Sequence, residues 1–391
     1  LSDMAGQIEQ EVKQAFYPLP TFIREVEPKV KQDGSYSKVG LKHLGEGWMV
    51  CGGAHSVIDF PEFNLASRQQ IVKHLQHRGW KPKTFTEKGH AIVDESVLKD
   101  VDIPEAKLIA RYLLLQKRVS QIKQWIDYYA DDGKVHGRVL TLKTISGRMA
   151  HHSPNMAQVP AVYSEFGKEC RACWTASSSD RVLVGCDASS LELRGLAHYL
   201  KDDKFINEVV NGDIHTANQK AAGLATRDQA KTFIYAFIYG AGAAKIGSVV
   251  GGTARDGQRL IDQFLTNVPA LKSLRQRVEL SAARGYIPGL DGRRLKVRSV
   301  HSALNLLIQG AGAVICKQWL VHIMQLIKEE GIDAYLVASI HDEYQFDCRK
   351  DHAERFGKLT QQAMKIAEKE LNVRCPLDSE YKVGLNWSET H

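Results

Sequence analysis

Two strand-like runs widely separated in the chain each bring an aspartate to the place where the run stops. The first, Arg181-Val-Leu-Val-Gly-Cys-Asp187-Ala-Ser-Ser-Leu-Glu192-Leu-Arg194, is a short apolar stretch ending at Asp187, followed by a serine pair placed to cap a helix. The second, Tyr335-Leu-Val-Ala-Ser-Ile-His341-Asp342-Glu343-Tyr-Gln-Phe-Asp-Cys348, reads as two strands meeting at a charged turn, with Asp342 at the hairpin tip. Carboxylates displayed from adjacent strand ends can bridge two Mg²⁺ ions about 3.5–4 Å apart, an arrangement that activates an attacking hydroxyl and neutralises a leaving phosphate. Taken singly, either aspartate is as well explained as a cap or a turn residue.

A third segment favours the pairing. From Arg227 to Gly240 the chain reads Arg-Asp-Gln-Ala-Lys-Thr-Phe-Ile-Tyr-Ala-Phe-Ile-Tyr-Gly, which sets Arg227, Lys231, Tyr235 and Tyr239 at successive i, i+4 steps. Each step drifts by only about 40° around a helix, so the four side chains share a face. Two cations suit a polyphosphate, the first phenol can abut a sugar and base, and the second can orient a neighbour. Alone, this ladder is equally a solvated basic face with half-buried tyrosines; together with the two aspartates it describes nucleotidyl transfer.

The three segments resemble motifs A, B and C of family A DNA polymerases, in that order, and are similar in wording to the replicative polymerases of short-tailed bacteriophages. The matching strings are Asp-Ala-Ser-x-Leu-Glu-Leu-Arg, Arg-Asp-x-Ala-Lys-Thr-Phe-Ile-Tyr-x-Phe-x-Tyr-Gly-Ala-Gly and His-Asp-Glu. Further similarity runs through Ser146-Gly-Arg148, Pro154-Asn-Met-Ala-Gln158, Gly212-Asp-Ile-His215-Thr, Leu290-Asp-Gly-Arg293 and Asn305-Leu-Leu-Ile-Gln309. It spans roughly Ser67 to the C-terminus.

The resemblance implies an α/β (mixed α+β) right-hand fold. Residues 1–126 would form a helical thumb with a Gly-rich insertion at about 33–56, 127–199 and 305–391 a palm, and 200–304 helical fingers carrying the ladder. An antiparallel palm sheet would bear Asp187 and Asp342, which with the backbone carbonyl of Ala188 would hold two Mg²⁺ ions, Mn²⁺ being able to substitute. Glu343 would be an accessory carboxylate, turned to the opposite face from its neighbour. His215, Arg227 and Lys231 would meet the β and γ phosphates of a dNTP, with Lys231 placed to protonate the departing pyrophosphate. Glu192, held by Tyr239, would exclude a 2′-hydroxyl, and Tyr235 would reach the 3′ position. Arg148, Asn305 and Gln309 would touch minor-groove acceptors of the primer-template, and His341 the primer terminus. The reaction implied is attack of a primer 3′-hydroxyl on the α-phosphate of a dNTP. A single-subunit RNA polymerase shares the palm and ladder, and an inactive primer-template binding module shares the thumb. Glu192 argues against the first, the intact aspartates and cations against the second.

Composition agrees with this reading. In 391 residues, 52 Lys and Arg against 45 Asp and Glu give a net charge of +7, mildly suited to a nucleic-acid partner and short of a basic tail. Seven scattered cysteines form no disulfide framework and suggest reduced thiols in a cytoplasm, that of the host if the chain is phage-encoded. Cys170-Arg-Ala-Cys173 lacks a second ligand pair, and Gly240-Ala-Gly242 follows a helix and has Lys245 where a dinucleotide site needs a third glycine. No uninterrupted apolar segment approaches a bilayer span, so no membrane partner is expected. The stretch before the thumb is too short for a proofreading domain and holds no Asp-x-Glu cluster, so no exonuclease activity is expected. Ser67 should cap a helix striped by Ile71, Val72 and Leu75. A longer helix should start at Pro104, with Leu108, Tyr112, Leu115, Val119 and Ile122 apolar and Lys107, Arg111, Lys117, Arg118 and Lys123 outward. From Asp33 to Ser56, six glycines predict a surface loop or DNA-touching flap. The resemblance implies a thumb insertion in a comparable place where a processivity factor would dock, although this segment does not visibly match that insertion.

Overall fold

The computed structural model describes residues 1–27, 29–35, 54–86 and 88–390. Most of the Gly-rich segment therefore lies outside the described residues. The chain divides into two compact units, Leu1–Gln124 and Trp125–His391.

In the first unit, α1 (Ser2–Ala15) buries Ala5, Ile8 and Val12 at helical spacing. Strands β1 (Thr21–Val26) and β2 (His55–Asp59) pair antiparallel. Helix α2 (Arg68–His77) is capped as expected, the Ser67 side chain accepting from the Gln70 N–H. Its buried stripe is Ile71, His74 and Leu75 instead of Ile71, Val72 and Leu75. His74 fills the place because its ring packs edge-on to Phe16 and Phe63, with centroids at 5.1 and 4.6 Å. After α3 (Glu95–Leu98), α4 (Pro104–Asp127) starts at the predicted proline. Here the phase differs from the prediction: Ala106, Ile109, Tyr112 and Leu115 are buried, while Leu108, Val119 and Ile122 are half-buried. Arg118, assigned to an outer face, is only 7% exposed and donates to Gln121 at 3.0 Å. Apolar residues occupy most of this helix's circumference, so periodicity alone leaves its orientation open by a position.

The second unit opens with a ribbon of β3 (Arg138–Leu140) and β4 (Ala150–His152), then α5 (Gly167–Ala172). It continues through β5 (Arg181–Ala188), α6 (Leu191–Leu200), α7 (Asp203–Val210), α8 (Ile214–Ala222) and α9 (Arg227–Ile238). Helices α10 (Ala243–Val249), α11 (Ala254–Asn267) and α12 (Pro269–Ala282) follow, then the ribbon β6 (Tyr286–Pro288) and β7 (Arg294–Lys296). Last come α13 (Ala303–Glu329), β8 (Ala334–Ile340), β9 (Glu343–Arg349), α14 (Ala353–Glu370) and β10 (Ser379–Gly384).

Strands β10, β5, β9 and β8 make a four-stranded sheet in that order, every neighbour antiparallel. Strand alternation gives the sheet two unlike faces. Val182, Val184 and Cys186 of β5 and Tyr344, Phe346 and Cys348 of β9 pack into one apolar cluster with Trp319 of α13 and Phe356 and Met364 of α14. On the other face the pairs Leu183–Asp347, Gly185–Gln345 and Asp187–Glu343 stand opposite one another. Glu343, Gln345 and Asp347 are 3, 2 and 5% exposed, and each is satisfied by a side chain. Arg181 donates to Asp347 at 2.5 Å, Thr390 to Gln345 at 2.8 Å, and the Trp387 indole to Glu343 at 2.5 Å. Gly185 is required here, since a Cβ would stand 2.4 Å from the Thr390 carbonyl.

Helices α6 to α13 build a second cluster around Phe233, Phe237 and Phe264. Against the expectation that no apolar segment approaches a bilayer span, Val300–Glu329 is long and apolar enough to cross a membrane by length and composition, and its most apolar part is largely buried in the protein. The serine pair after Asp187 is a correction too: Ser190 occupies the N-cap of α6 in a left-handed conformation (φ 51°) and its side chain makes no capping hydrogen bond.

Candidate active site

The sheet register brings the two aspartates together. Asp187, the last residue but one of β5, stands opposite Glu343, the first residue of β9, and Asp342 immediately precedes Glu343 in a two-residue turn. The Ala188 N–H donates to the Asp342 carbonyl at 3.0 Å, tying the two aspartate-bearing segments backbone to backbone. Asp187 is exposed and Asp342 half-buried. Beneath them, burial pushes the Cys316 thiol far up, and both Asp342 and Asp187 push it further. His341 enters the turn with φ 56°, the left-handed region, beside His151 with ring centroids 6.4 Å apart. Burial lowers the pKa of both imidazoles.

Glu343 shares a sheet face with Asp187, its register partner, instead of turning away from the aspartates as expected; it is buried and not a solvent-facing partner of them. Its carboxylate is held by Trp387, by Gln345 at 2.7 Å and by Arg171 at 3.6 Å, and the Arg171 guanidinium stacks 4.4 Å over the Trp387 ring.

The ladder forms one helix. A capping box of Thr226 and Gln229 starts α9 just before Arg227, and Tyr239 is its C-cap. Arg227 and Lys231 are exposed, Tyr235 is half-buried, and the Tyr235 and Tyr239 rings are 6.4 Å apart. His215, in the first turn of α8, faces Tyr235 at 6.2 Å, and its Nδ1 is buried without a hydrogen-bond partner among the described residues. Burial lowers the His215 pKa, and Arg227 lowers it further. The pKa of the Tyr235 phenol is raised by burial, then by the charges of Glu192 and Asp342.

Glu192, in the first turn of α6, is gripped at both oxygens. Arg148 donates to Oε1 at 3.0 Å and the Tyr239 hydroxyl to Oε2 at 2.8 Å, so the contact expected of Tyr239 is present. Asn305 and Gln309 stand one turn apart on α13, both half-buried, with Asn305 Oδ1 unpartnered among the described residues.

Sequence reasoning missed several residues of this region. Asp213 caps α8 through the His215 and Thr216 N–H groups and also pairs with Arg227 at 2.8 Å. Arg227, with help from Thr216, holds the Asp213 carboxyl well below the usual carboxylate range. An aspartate just before Ile-His-Thr carried the cap signal, but nothing in the sequence announced the ion pair. Arg171 and Trp387 gave no local signal.

An antiparallel sheet with an aspartate-bearing turn at one end, in one unit with a helix of aligned cations and phenols, is the layout of a polymerase-type palm. The profile of DNA polymerase family A matches residues 51–389, and the chain belongs to that family. The DNA-directed DNA polymerases of Enterobacteria phage T3 and Escherichia phage T7 are each 40% identical over 425 aligned residues, covering 96% of this chain and 60% of the relative. DNA polymerase I of Pseudomonas aeruginosa is 27% identical over 84% of this chain and 39% of its own length. The similarity thus reaches further toward the N-terminus than Ser67, and the chain spans about 60% of its phage relatives' length. The fold matches that of the POL domain of Pol1 from M. smegmatis, solved in complex with DNA primer-template and dNTP. The TM-score is 0.77 at 21% identity, over 84% of this chain and 62% of that one. The right-hand polymerase fold with an antiparallel palm sheet is therefore the fold of this chain.

Proposed function

We propose that the chain is a template-directed DNA polymerase that adds dNTPs to a primer 3′-hydroxyl and releases pyrophosphate. The observation that carries this reading is the 3.0 Å bond from the Ala188 N–H to the Asp342 carbonyl, which keeps both aspartates at the same end of the sheet. Two accessible carboxylates and the adjoining Ala188 carbonyl make an all-oxygen donor set of the kind hard divalent cations take. Asp187, Asp342 and Ala188 would hold two Mg²⁺ ions, or Mn²⁺ in their place. Such ions, when bound, lower the pKa of an attacking hydroxyl and neutralise charge on the leaving oxygen.

The remaining roles fall to side chains. Arg227 and Lys231 present cations to the triphosphate, with Lys231 placed to donate a proton to pyrophosphate. Neutral His215 donates a ring N–H to a phosphate oxygen at ordinary pH. Glu192, fixed by Tyr239 and Arg148, closes the space below the sugar, and Tyr235 stands toward its 3′ side. Asn305, Gln309, Arg148 and His341 meet the primer-template, while Glu343, buried beside Trp387 and Arg171, supports the turn from within the sheet. In this reading 1–126 is the thumb, 127–199 and 305–391 the palm, and 200–304 the fingers. Partners are primer-template DNA and a dNTP, with a processivity factor at about 33–56 to be sought by co-purification.

Extension of a labelled primer on a DNA template, with Mg²⁺ and either dNTPs or NTPs, tests the proposal. Templated extension with dNTPs is expected. Extension with NTPs alone would favour an RNA polymerase, and none with either would leave a binding module.

A further inference from the structure

A lysine outside every motif anchors the Glu192 assembly. Lys317 stands on α13, and its Nζ donates to two backbone carbonyls of the segment joining β3 to β4: Thr141 at 2.6 Å and Gly147 at 2.7 Å. Ser146 and Gly147 of that segment are buried, but its first half has no such packing. Residues 141–145 are exposed, and Leu142 and Ile145 turn apolar side chains to solvent. Its internal bonds are short-range: Gly147 N–H to the Thr144 carbonyl at 3.0 Å, and the Thr144 hydroxyl to the Arg148 carbonyl at 2.8 Å. Gly147 itself adopts φ 81°, where a side chain would be strained. Burial lowers the Lys317 pKa and Arg293 lowers it further, as expected of an ammonium drawn partly out of water.

The next residue is Arg148, whose guanidinium holds Glu192 Oε1 while Tyr239 holds Oε2. A continuous set of contacts therefore runs from Lys317 through the Gly147 carbonyl and Arg148 to the Glu192 carboxylate. We propose that Lys317 is a positioning residue for the choice of sugar: by fixing the Gly147 carbonyl it fixes where Arg148 begins, and hence where the Glu192 carboxylate stands. The inference rests on the polymerase reading above. A lysine that merely staples the loop would affect both sugars alike, whereas a positioning residue changes their ratio. Ammonium-to-carbonyl bonds are charge-assisted and among the stronger kind, so their loss loosens the Gly147 carbonyl that precedes Arg148.

The test is single-nucleotide incorporation of ATP and dATP opposite thymine by the unmodified chain, Lys317→Met, Lys317→Arg, Glu192→Ala and the double variant Lys317→Met/Glu192→Ala. Lys317→Met should raise the ATP-to-dATP ratio of kcat/KM about tenfold, the effect of losing one charge-assisted bond from the assembly. Lys317→Arg, which keeps donors for both carbonyls, should stay within about threefold of the unmodified ratio. In the Glu192→Ala background Lys317→Met should change the ratio no further, because the group it positions is gone. Lys317→Gln, with an uncharged donor, should be intermediate, so the result does not hang on one variant's folding. Equal slowing of both nucleotides, or an additive effect on top of Glu192→Ala, overturns the inference. Failure of the unmodified chain to extend a primer with either nucleotide overturns the polymerase reading, and this inference with it.

Discussion

The Tyr239 hydroxyl donates to Glu192 Oε2 at 2.8 Å, joining the C-cap of α9 to the first turn of α6. A fixed, hydrogen-bonded wall rejects an added hydroxyl better than a loose one does. Glu192→Ala should therefore raise ribonucleotide incorporation relative to deoxynucleotide. Tyr239→Phe, which leaves Arg148 in place, should do so by less, about tenfold. Single-nucleotide kinetics with matched NTP and dNTP would show it, and an unchanged ratio in both variants removes Glu192 from sugar selection.

Tyr235 is half-buried one turn before Tyr239, and its phenol, protonated at ordinary pH, lies within the influence of Glu192 and Asp342. A dideoxynucleotide lacks the 3′-hydroxyl, and the phenol can take over its hydrogen bond. The unmodified chain should use dideoxynucleotides nearly as well as dNTPs, while Tyr235→Phe should reject them by roughly tenfold to a hundredfold. Strong rejection by the unmodified chain, measured as kcat/KM for ddTTP against dTTP, contradicts this.

Acid should destabilise the second unit through His198. Its Nδ1 accepts the Arg374 N–H at 3.0 Å, so the folded ring is neutral, and burial, then Lys201 and Arg374, lower its pKa below 6.5. A histidine lowered on folding leaves stability intact above the unfolded value, and stability is lost as pH falls from there toward the folded value. The melting temperature should fall below about pH 6.5, and the His198 ring should titrate below an exposed histidine by NMR. A normal His198 titration midpoint would refute the assignment.

Asp347 is the buried end of an ion pair with Arg181 and also accepts the Ser177 N–H at 2.9 Å. Asp347→Ala leaves that N–H and part of the guanidinium unpaired, which should cost about 3 kcal/mol. Urea unfolding measures it; a loss under about 1 kcal/mol would mean that Asp333 alone satisfies Arg181.

Asp187 and Asp342 were legible because apolar alternation stops at each, and the ladder because i, i+4 spacing is a property of the local helix. The caps at Ser67 and the start at Pro104 were legible for the same local reason. What stayed hidden depends on long-range register. Trp387 reaches Glu343 across 44 residues and Arg181 reaches Asp347 across 166, and periodicity reports only that a position is buried. Glu343, expected as an accessory carboxylate, accordingly proved to belong to a buried layer with Gln345 and Asp347. Arg118 misled by charge, since a long side chain can bury its stem.

The account stands on the two aspartates, and the most direct test pairs binding with turnover. Asp187→Asn and Asp342→Asn should each bind primer-template within about threefold of the unmodified chain, because affinity comes mainly from phosphate neutralisation. Each should extend the primer at least about a thousandfold more slowly with dNTPs and Mg²⁺, because the reaction needs both carboxylates. Near-normal extension by either variant would contradict the assignment.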